Sequence, residues 1–278
     1  MAWHLSDDVD RFAAAAGDFL RSRPVEHTVP LTLVDTLRSR GPHAYGPEDP
    51  IFAWWSGPDG TVRGAALRTP PHPMLVLAVP DAAGLVALLA DRALPAVNVA
   101  DGSDFVSAWC AHTGATAVPG PRSRLYRLDV LAPPSPAPPG AARPAAAPDR
   151  PLLVSWMDEF QAEIGEAGAV RDTAEMVDDR LSYDGFTLWE VDQSPVSMAG
   201  HTRPEAGMVR VAPVYTPPAF RGHGYAAGAT AAVTQAAIDA GAADVVLFTD
   251  LANPTSNALY QRLGYRPIED RTVVEFVS

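Results

Sequence analysis

Cysteine is almost missing from this chain of 278 residues: Cys110 stands alone. An internal disulfide and any cysteine-based metal cluster are thereby excluded. Its apolar, helix-forming neighbours at 105–110 make buried filler the expectation for that thiol rather than a nucleophile. No run approaches the roughly 18 apolar residues of a membrane span, and the amino end, Met1-Ala2-Trp3-His4, lacks the basic start of a secretion signal. The expectation is a soluble, cytoplasmic protein with no membrane partner. Positive charge is scarce as well. A formal net charge of -12 disfavours duplex nucleic acid, whose affinity depends on neutralising phosphates. The seven histidines show no ligand spacing such as His-x-x-x-His, so no metal is expected.

Proline, by contrast, is concentrated. Eight of the nineteen residues from 133 to 151 are proline and most others are alanine or glycine, a composition that stays extended. The organisation predicted is therefore residues 1–132, a linker at 133–151 and residues 152–278. At an offset of 134 the two parts resemble each other: Trp55 matches Trp189, Val62 matches Val196, Ala65 matches Ala199 and Pro70 matches Pro204. Each set reads as a two-stranded hairpin, turning at Ser56-Gly57-Pro58-Asp59-Gly60 and at Asp192-Gln193-Ser194-Pro195. In the first part the remaining strands are expected at 74–79, 97–100 and 124–130, with helices at 85–90 and 104–112. In the second part, helices at 152–164 and 173–181 precede strands at 186–191, 196–203 and 208–215. A helix at 222–240, a strand at 244–249, a short helix from Asn253 and a strand at 272–277 follow. This alternation predicts a mixed α/β or α+β sheet.

Two motifs carry chemistry. The first is Arg221-Gly222-His223-Gly224-Tyr225-Ala226, which follows a strand and opens an alanine-rich helix. Free amides and the positive dipole end of a first helical turn attract phosphate, and glycine lets the backbone come close. No Gly-Lys-Ser/Thr follows, and Ala227 occupies the third glycine position of the dinucleotide pattern, so neither a Walker A loop nor a dinucleotide fold is indicated. The second is the run from Asn253 to Tyr265. Asn253 suits an N-cap, Pro254 the first helical position and Gly264 a left-handed end. Asn253, Asn257 and Tyr260 then share one helical face.

Arg-x-x-Gly-x-Ala at a strand-to-helix junction, followed by Asn-x-x-x-x-x-x-Tyr before Leu-Gly-Tyr, resembles the GCN5-related N-acetyltransferases (GNAT family). The resemblance implies tandem GNAT-like domains, each a mixed, mostly antiparallel sheet flanked by helices. The first domain has lost its cofactor loop. It further implies acetyl-CoA bound by Val214, Tyr215 and Thr216, by Arg221, Gly222, His223, Gly224, Tyr225 and Ala226, and by Asn253, Asn257 and Tyr260. In this family the tyrosine can protonate the departing thiolate; a phenol, with an ordinary pKa of about 10, is neutral at pH 7.

The base departs from the pattern. Many relatives carry a glutamate where this chain has Arg210, which cannot accept a proton. His201 is chemically the first substitute and Glu190 the second, with water as a further route. The two helices that cover the acceptor in this family carry Asp158, Glu159, Glu163, Glu166, Asp172, Glu175, Asp178 and Asp179. Such a bias would draw an ammonium-bearing small molecule, though a solvated face explains it equally. Acetylation of a protein or peptide amine, and a non-catalytic module that only binds acyl-CoA, remain alternatives. Monomer and homodimer are both open.

Overall fold

Several helices of this chain begin where a short acidic or amide side chain accepts from the next turn's free N–H groups. In the computed structural model, which describes residues 1–165 and 172–277, Asp8 accepts from Asp10 and Arg11, Asp172 from Ala174, and Asn253 from Ser256. The chain divides into two units. The first comprises residues 1–124 and 269–278, the second residues 125–268.

The first unit runs β1 (Ala2–Ser6), α1 (Val9–Arg21), α2 (Thr28–Arg40), β2 (Ile51–Ser56), β3 (Val62–Arg68), β4 (Met74–Val76), α3 (Ala82–Leu89), β5 (Ala96–Ala100), α4 (Phe105–Thr113) and most of β6 (Thr116–Leu128). Its sheet has the order β1-β2-β3-β4-β5 and is completed by the end of β12 (Tyr265–Val277), whose Arg271 pairs with Ala100. Pairings are antiparallel except β4 with β5, which is parallel. Strand alternation sets the two faces. Phe52, Trp54, Ala65 and Leu67 pack with Phe12, Leu20 and Leu37, whereas Ala53, Ala66 and Val97 pack with Leu85, Leu89, Phe105 and Trp109. Cys110, expected as buried filler, is only half-buried on α4.

The second unit repeats this order. It carries β7 (Ala141–Pro144), α5 (Arg150–Glu163), α6 (Thr173–Leu181), β8 (Phe186–Val191), β9 (Ser194–His201), β10 (Met208–Tyr215), α7 (Tyr225–Asp239), β11 (Asp244–Asp250) and α8 (Pro254–Arg262). Its strands lie in the order β7-β8-β9-β10-β11, closed by the end of β6. Only β10 with β11 is parallel among the pairs whose register is described. Helices cover both faces: α5 and α6 pack on Leu188, Met198 and Tyr215, and α7 and α8 on Ala199, Val211, Val245 and Leu247. The offset of 134 extends to the parallel strands, since β4 starts at Met74 and β10 at Met208. Both units thus have the mixed, mostly antiparallel sheet expected.

Three local readings need correction. The helix expected from Gly222 begins at Tyr225, because Gly222 and Gly224 both hold φ of 81°. The last strand starts at Tyr265 rather than 272, and its two halves serve different units. The proline-rich stretch is not uniformly extended coil. It contributes the edge strand β7, and Trp189 Nε1 donates to the carbonyl of Pro139 at 2.9 Å.

Candidate functional site

Strands β10 and β11 pair from Met208↔Asp244 to Arg210↔Val246, and this ladder goes no further. Beyond it, residues 211–215 and 247–250 are not paired with each other. A bulge directs the separation. Between Val211↔His201 and Val214↔Ala199, strand β10 spends three residues where β9 spends two. Pro213 lies in the extra step and has no N–H to offer. Gly200 makes the bulge fit: a Cβ there would lie 2.9 Å from Pro213 Cδ and 3.1 Å from Phe186.

The glycine turn follows directly. The first bond of α7 runs from Gly228 N–H to Gly224 O at 3.1 Å, and Gly224 has no side chain to cap with. The N–H groups of residues 222–227 therefore have no acceptor among the described residues. Six such donors lie at the positive end of a fifteen-residue helix, the kind of terminus that favours anions. The expected reason for the glycines was close approach of phosphate. Their structural reason is conformation: a Cβ on Gly222 would meet nothing within 4 Å, but a φ of 81° is disfavoured for any residue with one. Deeper in α7, Gly228 serves packing, since a Cβ would lie 2.8 Å from the Trp189 ring.

Side chains around the turn are already engaged. Arg221 donates from Nε to the Thr216 carbonyl at 2.9 Å and pairs with Glu163 of α5. His223 stacks on Tyr225 with ring centroids 5.4 Å apart and is exposed. Tyr215 is buried and donates to Glu159 Oε2 at 2.6 Å. Burial first, then that carboxylate, pushes its phenol up to about 12. Its carbonyl accepts from Ser197, which also meets the Thr216 hydroxyl at 2.8 Å. Glu159 was expected only as one of eight acceptor-side carboxylates, and Ser197 was not singled out, because it belongs to no short pattern. Glu166 lies outside the described residues.

Helix α8 carries the second motif. Asn253 accepts from Ser256 N–H at 3.0 Å as its N-cap. Asn257 donates to the carbonyls of Asp250 and Asn253, both at 2.8 Å, and accepts from Tyr126 at 2.9 Å. Its amide braces the end of β11. Tyr260 is different: its ring is buried and lies edge-on to Tyr265 at 6.2 Å, yet its hydroxyl has no partner among the described residues. Burial holds its pKa up at about 12, so the phenol stays protonated.

His201 and Glu190, the substitutes expected for a base, each have partners of their own. His201 lies opposite Val211, ahead of the bulge, with Nδ1 2.9 Å from its neighbour's carbonyl and its ring tilted against Tyr183. Roughly 13 Å of strand separates Val211 from Tyr215. Glu190 accepts from Arg143 Nε at 2.7 Å, and Arg143 also grips Asp149.

Residues 150–265 match the model of the Acetyltransferase (GNAT) family. This segment is a GNAT-family acetyltransferase domain. Solved structures share the fold over nearly the whole chain. The GNAT-family acetyltransferase from Colwellia psychrerythraea is 12% identical, with a TM-score of 0.65 and complete coverage of both chains. The GCN5-related N-acetyltransferase from Sphaerobacter thermophilus is 15% identical, at 0.66, covering 98% of this chain and 94% of that one. A tandem GNAT protein from the clavulanic acid biosynthesis pathway is 13% identical, at 0.57, covering 98% and 97%. No curated protein matches in sequence. The tandem GNAT-like architecture read from the offset of 134 is thus that of the fold as a whole. No helix among the described residues is long and apolar enough to cross a membrane.

Proposed function

We propose that the chain is an acetyl-CoA-dependent N-acetyltransferase in which the second unit transfers an acetyl group to a primary amine of a small molecule. The observation that carries this reading is the juxtaposition, in sequence and fold, of strand separation after Arg210 with six unpartnered amides at 222–227. Acetyl-CoA, when bound, would supply the activated acyl group as a thioester.

The chain's own residues have distinct tasks in this scheme. Amides of 222–227 hold the diphosphate, with no side chain of the turn needed as a cation. Main-chain groups of Val214, Tyr215 and Thr216 line the pantetheine path, and one N–H aimed at a developing oxyanion is worth about 2.7 to 4 kcal/mol of barrier. Asn257 acts by fixing α8 rather than by donating freely, because its Nδ2 is occupied, and Asn253 caps the same helix through its Oδ1. Tyr260 gives its proton to the leaving sulfur. The amine's proton leaves through water or His201. Carboxylates of α5, with Glu159 and Glu163 nearest the strand end, favour a cationic acceptor. The first unit has a structural role.

The test is release of free thiol from acetyl-CoA with a panel of small amines and amine-bearing peptides. The chain has no lysine to compete as acceptor. Acetylated small amine, with activity reduced in Tyr260→Phe, supports the reading. Preference for peptides would move the acceptor to protein amines, and binding without thiol release would leave a module that only holds the carrier.

A further inference from the structure

The first unit repeats the strand and helix order of the second, so each feature of the candidate site has a counterpart to compare. Strand β4 pairs with β5 from Met74↔Val97 to Leu75↔Asn98, the same parallel contact that β10 makes with β11. There the likeness ends. Strand β10 continues through a bulge to Tyr215 over eight residues, whereas β4 stops at Val76 after three.

The groups that the parting of β4 and β5 would leave open are occupied by a side chain. Arg271, only 5% exposed, donates from Nη2 to the carbonyl of Val76 at 2.7 Å and to that of Asn98 at 2.9 Å. Its Nε donates to Asn98 Oδ1 and its Nη1 to Glu269, both at 2.8 Å. A guanidinium thus sits in the gap between parallel strands. In the second unit, on the cofactor reading above, the corresponding gap takes a ligand's amide arm.

The helix start is occupied too. Asp81 caps α3, accepting from Gly84 N–H at 2.9 Å, and its own carbonyl accepts from Trp3 Nε1 at 2.7 Å. The carboxylate folds so closely over the turn that a Cβ on Gly84 would lie 2.1 Å from Asp81 Oδ2. A negative group of the protein therefore stands where α7 presents bare amides, and it repels a second anion.

We infer that Asp81 and Arg271 are built-in occupants of the first unit's carrier-binding place, so that one chain takes up one molecule of coenzyme A, at the second unit. The inference rests on the cofactor reading above, and the experiment separates the two. Native mass spectrometry of the full chain with excess coenzyme A counts the bound molecules. Amide hydrogen exchange on the same mixture locates them. One bound molecule with slowed exchange at 222–227 and unchanged exchange at 82–86 is expected. Two bound molecules, or slowed exchange at 82–86, would overturn the inference while leaving the second site standing. No bound molecule at any concentration would instead overturn the cofactor reading. Both measurements use the native sequence, so no variant has to fold.

Discussion

Asn257 accepts a 2.9 Å hydrogen bond from the phenol of Tyr126, a residue 131 positions earlier in the chain. The same amide donates to Asp250 at the end of β11. One side chain thus fastens α8 to two strands, β6 and β11. Asn257→Ala would leave the Asp250 carbonyl without this donor and the phenol without this acceptor. The expected loss is about 1–3 kcal/mol of stability. Denaturant unfolding followed by intrinsic fluorescence measures it, and weaker coenzyme A binding should accompany it.

Tyr260→Phe probes chemistry without that structural cost. The hydroxyl has no hydrogen bond to lose, and the ring that fills the core is retained. Stability and coenzyme A affinity should be unchanged, while kcat falls by about a hundredfold or more. Parallel steady-state kinetics and thermal unfolding distinguish this from a packing defect, which would lower both.

Two glycines in one segment should fail for different reasons. Gly222→Ala meets open space but forces a φ of 81° on a residue with a Cβ, costing about 1–2 kcal/mol locally. Coenzyme A affinity should carry that cost. Gly228→Ala drives a methyl into the Trp189 ring inside a helix, which costs about 1–3 kcal/mol of global stability. Thermal unfolding and calorimetric binding, measured on both variants, should show the opposite balance.

The pH dependence of stability has two limbs. His27 is buried between α1 and α2, and desolvation lowers its pKa below 6.5. The native state then binds fewer protons than the unfolded one, so this stability is complete above pH 6.5 and is lost as pH falls below it. His27→Gln should flatten that acid limb in denaturant titrations. Tyr260 and Tyr215 behave in the reverse sense. Their pKa values stand near 12 against about 10 unfolded, so stability is constant below pH 10 and declines between 10 and 12. Activity should accordingly show no alkaline loss from Tyr260 at neutral or mildly basic pH.

Much of the second unit could be read from local chemistry. Strands 186–191 and 208–215 and the helix 173–181 fall at the bounds expected from the sequence. The hairpin at Asp192 and Gln193 was legible as a turn, although both residues adopt positive φ without being glycine. The first two helices went unread, since Pro30 within α2 and the four consecutive alanines of α1 blur the periodicity. Long-range facts were beyond the sequence. Nothing in Arg271 announces that it will reach Val76, 195 residues away, and nothing in a proline-rich stretch announces an edge strand. At the site, the two short motifs pointed to the turn and to Tyr260. The bracing roles of Asn257, Glu159 and Arg221 required coordinates, because they depend on which partner already holds each polar group.

Calorimetric titration of the native chain with coenzyme A tests the central claim most directly, with Gly224→Val as the partner measurement. A β-branched side chain at a φ of 81° cannot keep the amide turn. The account predicts saturable binding by the native protein and loss of that heat in the variant. Absence of binding by the native chain, or equal affinity in the variant, would contradict it.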